Sequence, residues 1–342
     1  MFVNGSHERK GAGPMKIDEV VSQFLIDCEI RGLSGETLSW YRKRLGLFAR
    51  KLEQELGVSE LEAVKIVHLR QFVQLLLGTK SGANNPRVPT QDKSLSAFTV
   101  RGYVRVIKVF FSWCVSEELI EKNPTARLVQ PKAPDYLIPT FTVEHVETML
   151  ATCDQKKPDG FRNYVLLLVL LDTGMRISEL CGLRLTDVHD RYVKVLGKGR
   201  KEREIGLHPE VGKLLWKYIH KYRKTADPNE TIVFIGRLGE PLRVGGVKSI
   251  LEDVKKKSGL TGVRVSAHTF RHTFAKFYLQ RGGEVFKLSR EMGHSTVQVT
   301  EIYLKDFRSS EARKEHTEFS PIGEFNLRSK KKRRKEEDSD SE

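Results

Sequence analysis

Three observations in the sequence predict a mainly α fold with a small antiparallel β-sheet, built in two parts. Apolar residues recur at helical spacing from residue 16 to about residue 128. In the second half, two segments, 191–196 and 202–207, alternate with the period of a strand on either side of a glycine-bounded turn. Between the two parts, Pro131-Lys132-Ala133-Pro134 suits neither helix nor strand. The chain has 342 residues, 39% of them hydrophobic, enough for two domains with ordinary cores. The expected boundaries are a leader or disordered extension over 1–14, a helical domain over 15–130, a linker over 131–140, a second domain over 141–318, and a terminal segment with a charged tail over 319–342.

In chain order, residues 1–14 are polar and glycine-rich, and Met15 makes a natural start. Val20, Val21, Phe24, Leu25 and Cys28 form the first apolar stripe. Ser34 then caps a helix carrying Leu38, Tyr41, Leu45 and Phe48. Further helices are expected over 69–77 and over 98–118, the latter with Val104, Ile107, Phe111 and Cys114 inward. A polar loop over 78–94, with Pro86 and Pro89, separates them. Thr142-Val143-Glu144-His145-Val146 opens the second domain.

Leu166 to Leu171 is an unbroken apolar run, expected as part of a buried helix that breaks at Asp172-Thr173-Gly174. Arg176 then starts a new helix, with Glu179 one turn on to orient it. The β-hairpin follows, with Lys198 at its tip between Gly197 and Gly199. Ser266 caps the next helix, which ends before Gly282-Gly283. On that helix His268 and Arg271 are three apart, so at ~100° per residue they share a face and offer two donors near an N-terminus that favours anions. Phe270, Phe274 and Phe277 are expected to pack on a neighbouring face.

A formal net charge of +15 favours a polyanionic partner. Cys28, Cys114, Cys153 and Cys181 lie far apart, which indicates neither a disulfide framework nor a metal cluster. No secretory signal pattern and no run of about eighteen apolar residues occurs. The expected location is the cytoplasm, in association with the nucleoid. Residues 328–335 are Lys and Arg broken only by Ser329, and 336–342 are acidic with Ser339 and Ser341. This composition reads as disordered, and as a nonspecific DNA tether or solvated tail in preference to a nuclear import signal.

Arg176, Lys198, His268, Arg271 and His294 are five groups able to donate to an anion, followed by the phenol of Tyr303. Such a set suits attack on a phosphodiester. Their settings, Gly174-Met175-Arg176-Ile177-Ser178-Glu179-Leu180, Gly197-Lys198-Gly199, His268-x-x-Arg271, Gly293-His294 and then Tyr303, resemble the tyrosine recombinase (phage integrase) family in order and spacing. Met292 stands where that family usually has leucine, a swap of similar volume. The first half also resembles the family's core-binding domain, in Leu33-Ser34-Gly35-Glu36-Thr37-Leu38 and Leu119-Ile120-Glu121-Lys122-Asn123-Pro124. The extension before Lys16 is small for the extra arm-site domain of some phage integrases, so a recombinase of Xer or transposon type fits better.

The resemblance implies that Tyr303 attacks DNA to form a 3′-phosphotyrosyl bond, with His268 taking or sharing its proton. Arg176, Arg271 and His294 would stabilise the phosphate charge, Glu179 would support Arg176, and Lys198 would protonate the leaving 5′ oxygen. It further implies no metal and no cofactor, double-stranded DNA with inverted-repeat core sites as partner, a homo-tetramer on two duplexes, and a Holliday junction. A C-terminal segment that docks on a neighbour could only be about 309–327, interrupted at Pro321. Arg42, Lys43, Arg44, Arg101, Arg105, Lys108, Arg200 and Lys201 are candidate DNA contacts. The alternatives are a DNA-relaxing enzyme of type IB topoisomerase kind, which shares the catalytic set, and a DNA-binding protein without recombination activity, although none of the six residues is lost.

Overall fold

The computed structural model describes residues 13–82, 92–132, 139–197, 202–294, 296 and 300. The chain separates into two compact units, Met1–Asp135 and Tyr136–Glu342.

The first unit is helical. Its elements are α1 (Ile17–Ile30), α2 (Gly35–Leu56), α3 (Ile66–Gly78) and α4 (Ala97–Ser116). Ser34 and Ser96 set the starts of α2 and α4, each hydroxyl accepting from the backbone N–H three residues on, at 3.3 and 3.2 Å. Gly57, in the left-handed region at φ 66°, ends α2. The expected stripe Val20, Val21, Phe24, Leu25 and Cys28 is buried, and Phe24 meets Phe110 of α4 edge-on at 5.6 Å. Phe48 of α2 meets Phe72 of α3 the same way at 5.1 Å. The polar loop expected over 78–94 closes at its base as a short antiparallel pairing. Ser81 donates to the Lys93 carbonyl at 2.7 Å and Leu95 to that of Thr79 at 2.9 Å. Pro86 and Pro89 lie outside the described residues.

In the second unit Thr142 caps α5 (Val143–Ala151), and α6 (Pro158–Thr173) carries the apolar run. Within the expected break at Asp172-Thr173-Gly174, it is Gly174 that ends the helix. Thr173 stays helical with its hydroxyl on the Val169 carbonyl at 2.6 Å, and Gly174 turns the chain at φ 56°. After α7 (Ile177–Gly182), β1 (Tyr192–Leu196) and β2 (Glu202–Gly206) pair antiparallel, with Val193 opposite Ile205 and Val195 opposite Arg203. Then come α8 (Pro209–Lys217), a π-helical turn (Tyr218–Tyr222), α9 (Val244–Ser258), α10 (Ala267–Gln280) and α11 (Val285–Met292).

Helix α10 lies against α6 in the core. Its Phe270 packs on Phe141 at 4.8 Å, and its buried Thr273 hydroxyl accepts from the Phe141 N–H at 2.9 Å. Phe270 is buried as expected, whereas Phe274 and Phe277 are only partly so. The fold thus brings the end of α6, the start of α7, the hairpin, α10 and the end of α11 together. That junction holds Arg176, His268, Arg271 and His294.

Candidate active site

Arg176 occupies the N-cap of α7, where its own N–H donates to Glu179 Oε2 at 2.7 Å and its Nη1 to Glu179 Oε1 at 2.9 Å. The i, i+3 relation seen in sequence is therefore a hydrogen-bonded ion pair. Glu179 has a second partner that sequence reasoning missed. Arg203 of β2 grips the same carboxylate with Nη1 at 2.8 Å and Nη2 at 2.9 Å. Burial alone would push the Glu179 carboxyl up. Hydrogen bonds from Arg203 and from the Arg176 N–H, with the Arg203 charge, hold it below the ordinary range instead.

The three arginines converge on the C-terminal end of α11. The last carbonyls of a helix lack intrahelical partners and carry partial negative charge. Here Arg203 Nε donates to the Glu291 carbonyl at 2.7 Å, Arg271 Nη2 to that of Met292 at 2.6 Å, and Arg176 Nη2 to that of Gly293 at 3.1 Å. Gly293 turns the chain at φ 63°, and a Cβ there would press on the Arg203 guanidinium at 3.0 Å. His294 follows at once. Its N–H donates to the Ser289 carbonyl at 3.0 Å, and its Nδ1 lies 2.8 Å from the hydroxyl of buried Thr300.

Ser266 caps α10 as expected, its hydroxyl accepting from the Thr269 N–H at 3.2 Å. One expectation needs correcting: α10 does not present His268 and Arg271 alike. Arg271 is 4% exposed, with Nη1 on the Gly174 carbonyl at 2.7 Å besides its bond to Met292. The cause is long-range packing, because α6 and α11 cover the face that the helix alone would leave open. His268 is exposed, in edge contact with His272 at 4.5 Å between ring centres.

Electrostatics bind these groups into one site. The His268 pKa is lowered by loss of solvent around the ring and then by the charges of Arg271, Arg264 and Arg176. Burial, with Arg271, Arg176, Arg203 and His272, lowers His294 to about 4. His272 is likewise lowered to about 4 by burial, His268 and Arg271. The histidines are neutral near pH 7, able to share or accept a proton. Two guanidinium cations, of Arg176 and Arg203, share one carboxylate while a third, of Arg271, is held by backbone carbonyls, leaving an excess of positive charge beside His268 and His294. An anion with several acceptor oxygens suits this arrangement.

Lys198, Arg200, Lys201 and Tyr303 lie outside the described residues, as do 309–327 and the charged tail. Among the described residues no group of three His, Cys, Asp or Glu side chains is placed to hold a metal ion, and no helix is long and apolar enough to cross a membrane. Cys28 and Cys114 are buried, and Cys153 and Cys181 are partly so. In the first unit Arg42, Lys43 and Arg105 are exposed, and Lys108 is partly buried. Arg101 donates to Gln130 at 3.3 Å. The Arg44 guanidinium lies 4.3 Å from the centre of the Trp40 ring and 5.2 Å from that of Tyr103.

Comparison with known proteins points to one family. The phage integrase family model matches residues 139–309, half of the chain. The tyrosine recombinase XerC of Chlamydia caviae is 30% identical over 208 residues, covering 60% of this chain and 66% of its own length. The tyrosine recombinase XerD of Staphylococcus haemolyticus is 27% identical over 314 residues, covering 89% of this chain and 99% of its own. In fold, the chain is similar to a Tn1549 transposon integrase solved in complex with a circular intermediate DNA. The TM-score is 0.70 at 22% identity, over 89% of this chain and 99% of that one. With both the guanidinium cluster and the family match in place, the chain belongs to the phage integrase family and is a tyrosine-type site-specific recombinase.

Proposed function

We propose that the protein cleaves and rejoins DNA through a 3′-phosphotyrosyl bond at Tyr303, pairs two duplexes as a tetramer, and exchanges strands through a Holliday junction. One observation carries this reading. Arg176, Arg271 and His294, in register with Arg203, gather at the last carbonyls of α11, with His268 in their field. A phosphodiester undergoing displacement gathers charge on its non-bridging oxygens, and planar guanidinium groups on rigid elements stabilise that charge without rearranging.

A phenol with an ordinary pKa of about 10 must shed its proton as it attacks. His268, neutral at pH 7 and exposed toward solvent, serves as the acceptor. Lys198 protonates the departing 5′ oxygen. Glu179 holds Arg176 in place, and the exposed Arg42, Lys43 and Arg105 of the first unit contact phosphates. The expected partner is duplex DNA with inverted-repeat sites, and the expected location is the cytoplasm, at the nucleoid.

A nicked duplex carrying a site selected by the protein from random sequence tests this reading. The fragment bearing the 5′-OH diffuses away, so a covalent protein–DNA adduct should accumulate and survive denaturing electrophoresis. Free 3′-phosphate ends without an adduct would contradict it.

A further inference from the structure

Glu179 poses an electrostatic problem that Arg203 solves. A lone Arg176–Glu179 pair is neutral, so the carboxylate that orients Arg176 would also cancel the charge Arg176 brings to a phosphate. Arg203 takes both oxygens of the same carboxylate in a bidentate grip. The trio then carries one positive charge, in a place where Glu179 is 5% exposed and water screens little.

Arg203 is also held tightly. Its side chain is 13% exposed, all three of its guanidinium nitrogens donate, and a Cβ on Gly293 would press on it at 3.0 Å. Through Nε it fixes the Glu291 carbonyl, two residues before Gly293, whose own carbonyl takes Arg176 Nη2. It stands on the strand that leaves the turn bearing Lys198.

We infer that Arg203 is a positioning residue for strand cleavage. It neutralises Glu179 so that Arg176 keeps its positive charge for the scissile phosphate, and it locks the hairpin to the turn that presents His294. This rests on the phosphotyrosyl reading above. A purely structural clamp would depend on the shape of the fork, whereas this role depends on charge.

The test is the single-turnover rate of adduct formation by the full-length protein on the nicked duplex. Duplex affinity and circular dichroism are measured alongside for each variant. Arg203→Gln should slow cleavage by roughly thirtyfold or more while affinity changes little. Arg203→Lys keeps the charge and loses the fork, and should stay within about tenfold of wild type. In the double variant Arg203→Gln with Glu179→Gln, the carboxylate charge is gone, and the rate should recover by roughly tenfold over Arg203→Gln alone.

A wild-type rate in Arg203→Gln, or a double variant no faster than the single, would overturn the inference and leave the phosphotyrosyl reading intact. If Arg203→Gln fails to fold, Arg203→Lys decides, and a loss beyond about a hundredfold in that folded variant counts against the charge role. Absence of the adduct in wild type would remove the reading and this inference together.

Discussion

Arg271 donates from Nη1 to the carbonyl of Gly174 across 2.7 Å, tying the middle of α10 to the end of α6. Its other terminal nitrogen reaches Met292, so one buried side chain fixes the turn that leads to Arg176 and the turn that leads to His294. Arg271→Ala leaves two carbonyls without this donor and opens a hole beside them. Its unfolding free energy should fall by about 2–4 kcal/mol in urea titration, and adduct formation should be lost. Unchanged stability would contradict the anchoring role.

Gly174 turns the chain at φ 56°, and a Cβ there would sit 2.4 Å from the Phe274 ring of α10. Gly174→Ala combines left-handed strain with a displaced aromatic ring on the helix that carries Arg271. Together these should cost about 2–4 kcal/mol, read as a drop in thermal midpoint. A loss below about 0.5 kcal/mol would show that the turn tolerates a side chain.

His272 and His294 have pKa values lowered to about 4 from an ordinary 6.5. Between these limits the unfolded chain binds protons that the folded chain does not. Stability from these groups is therefore full above pH 6.5 and is lost as pH falls from 6.5 toward 4. The urea midpoint of the free protein should be lower at pH 5 than at pH 7.5. A midpoint that stays level, or rises toward pH 5, would contradict the half-buried neutral state.

Local chemistry was legible in the sequence, and long-range chemistry was not. Ser34 and Ser266 were recognisable as caps because a cap bonds its own helix. Arg176 and Glu179 were paired correctly because three residues of helix separate them. Arg203 was overlooked because its carboxylate lies 24 residues away in the chain. A signal existed, since period two puts Arg203 on the same side of β2 as buried Ile205, and an inward arginine requires an anion. Capture of successive carbonyls of α11 by three arginines had no counterpart in spacing or composition, because it depends on how α6, α10, α11 and the hairpin pack. The same packing buries Arg271, which the helix alone would have left open.

Lys198→Ala should slow cleavage far more than it weakens DNA binding, because a proton donor to the leaving group acts in the transition state. A substrate with sulfur in place of the bridging 5′ oxygen leaves without that proton and should restore much of the rate. No recovery on the sulfur substrate would take Lys198 out of this role.

The most direct test of the central claim is adduct formation by Tyr303→Phe on the nicked duplex, in EDTA and without nucleotide. The substitution removes one oxygen and keeps the ring, so DNA affinity should remain near that of wild type. The account predicts a covalent adduct from wild type under these conditions and none from Tyr303→Phe. An adduct that persists in Tyr303→Phe, or cleavage by wild type that requires added Mg²⁺, would contradict it.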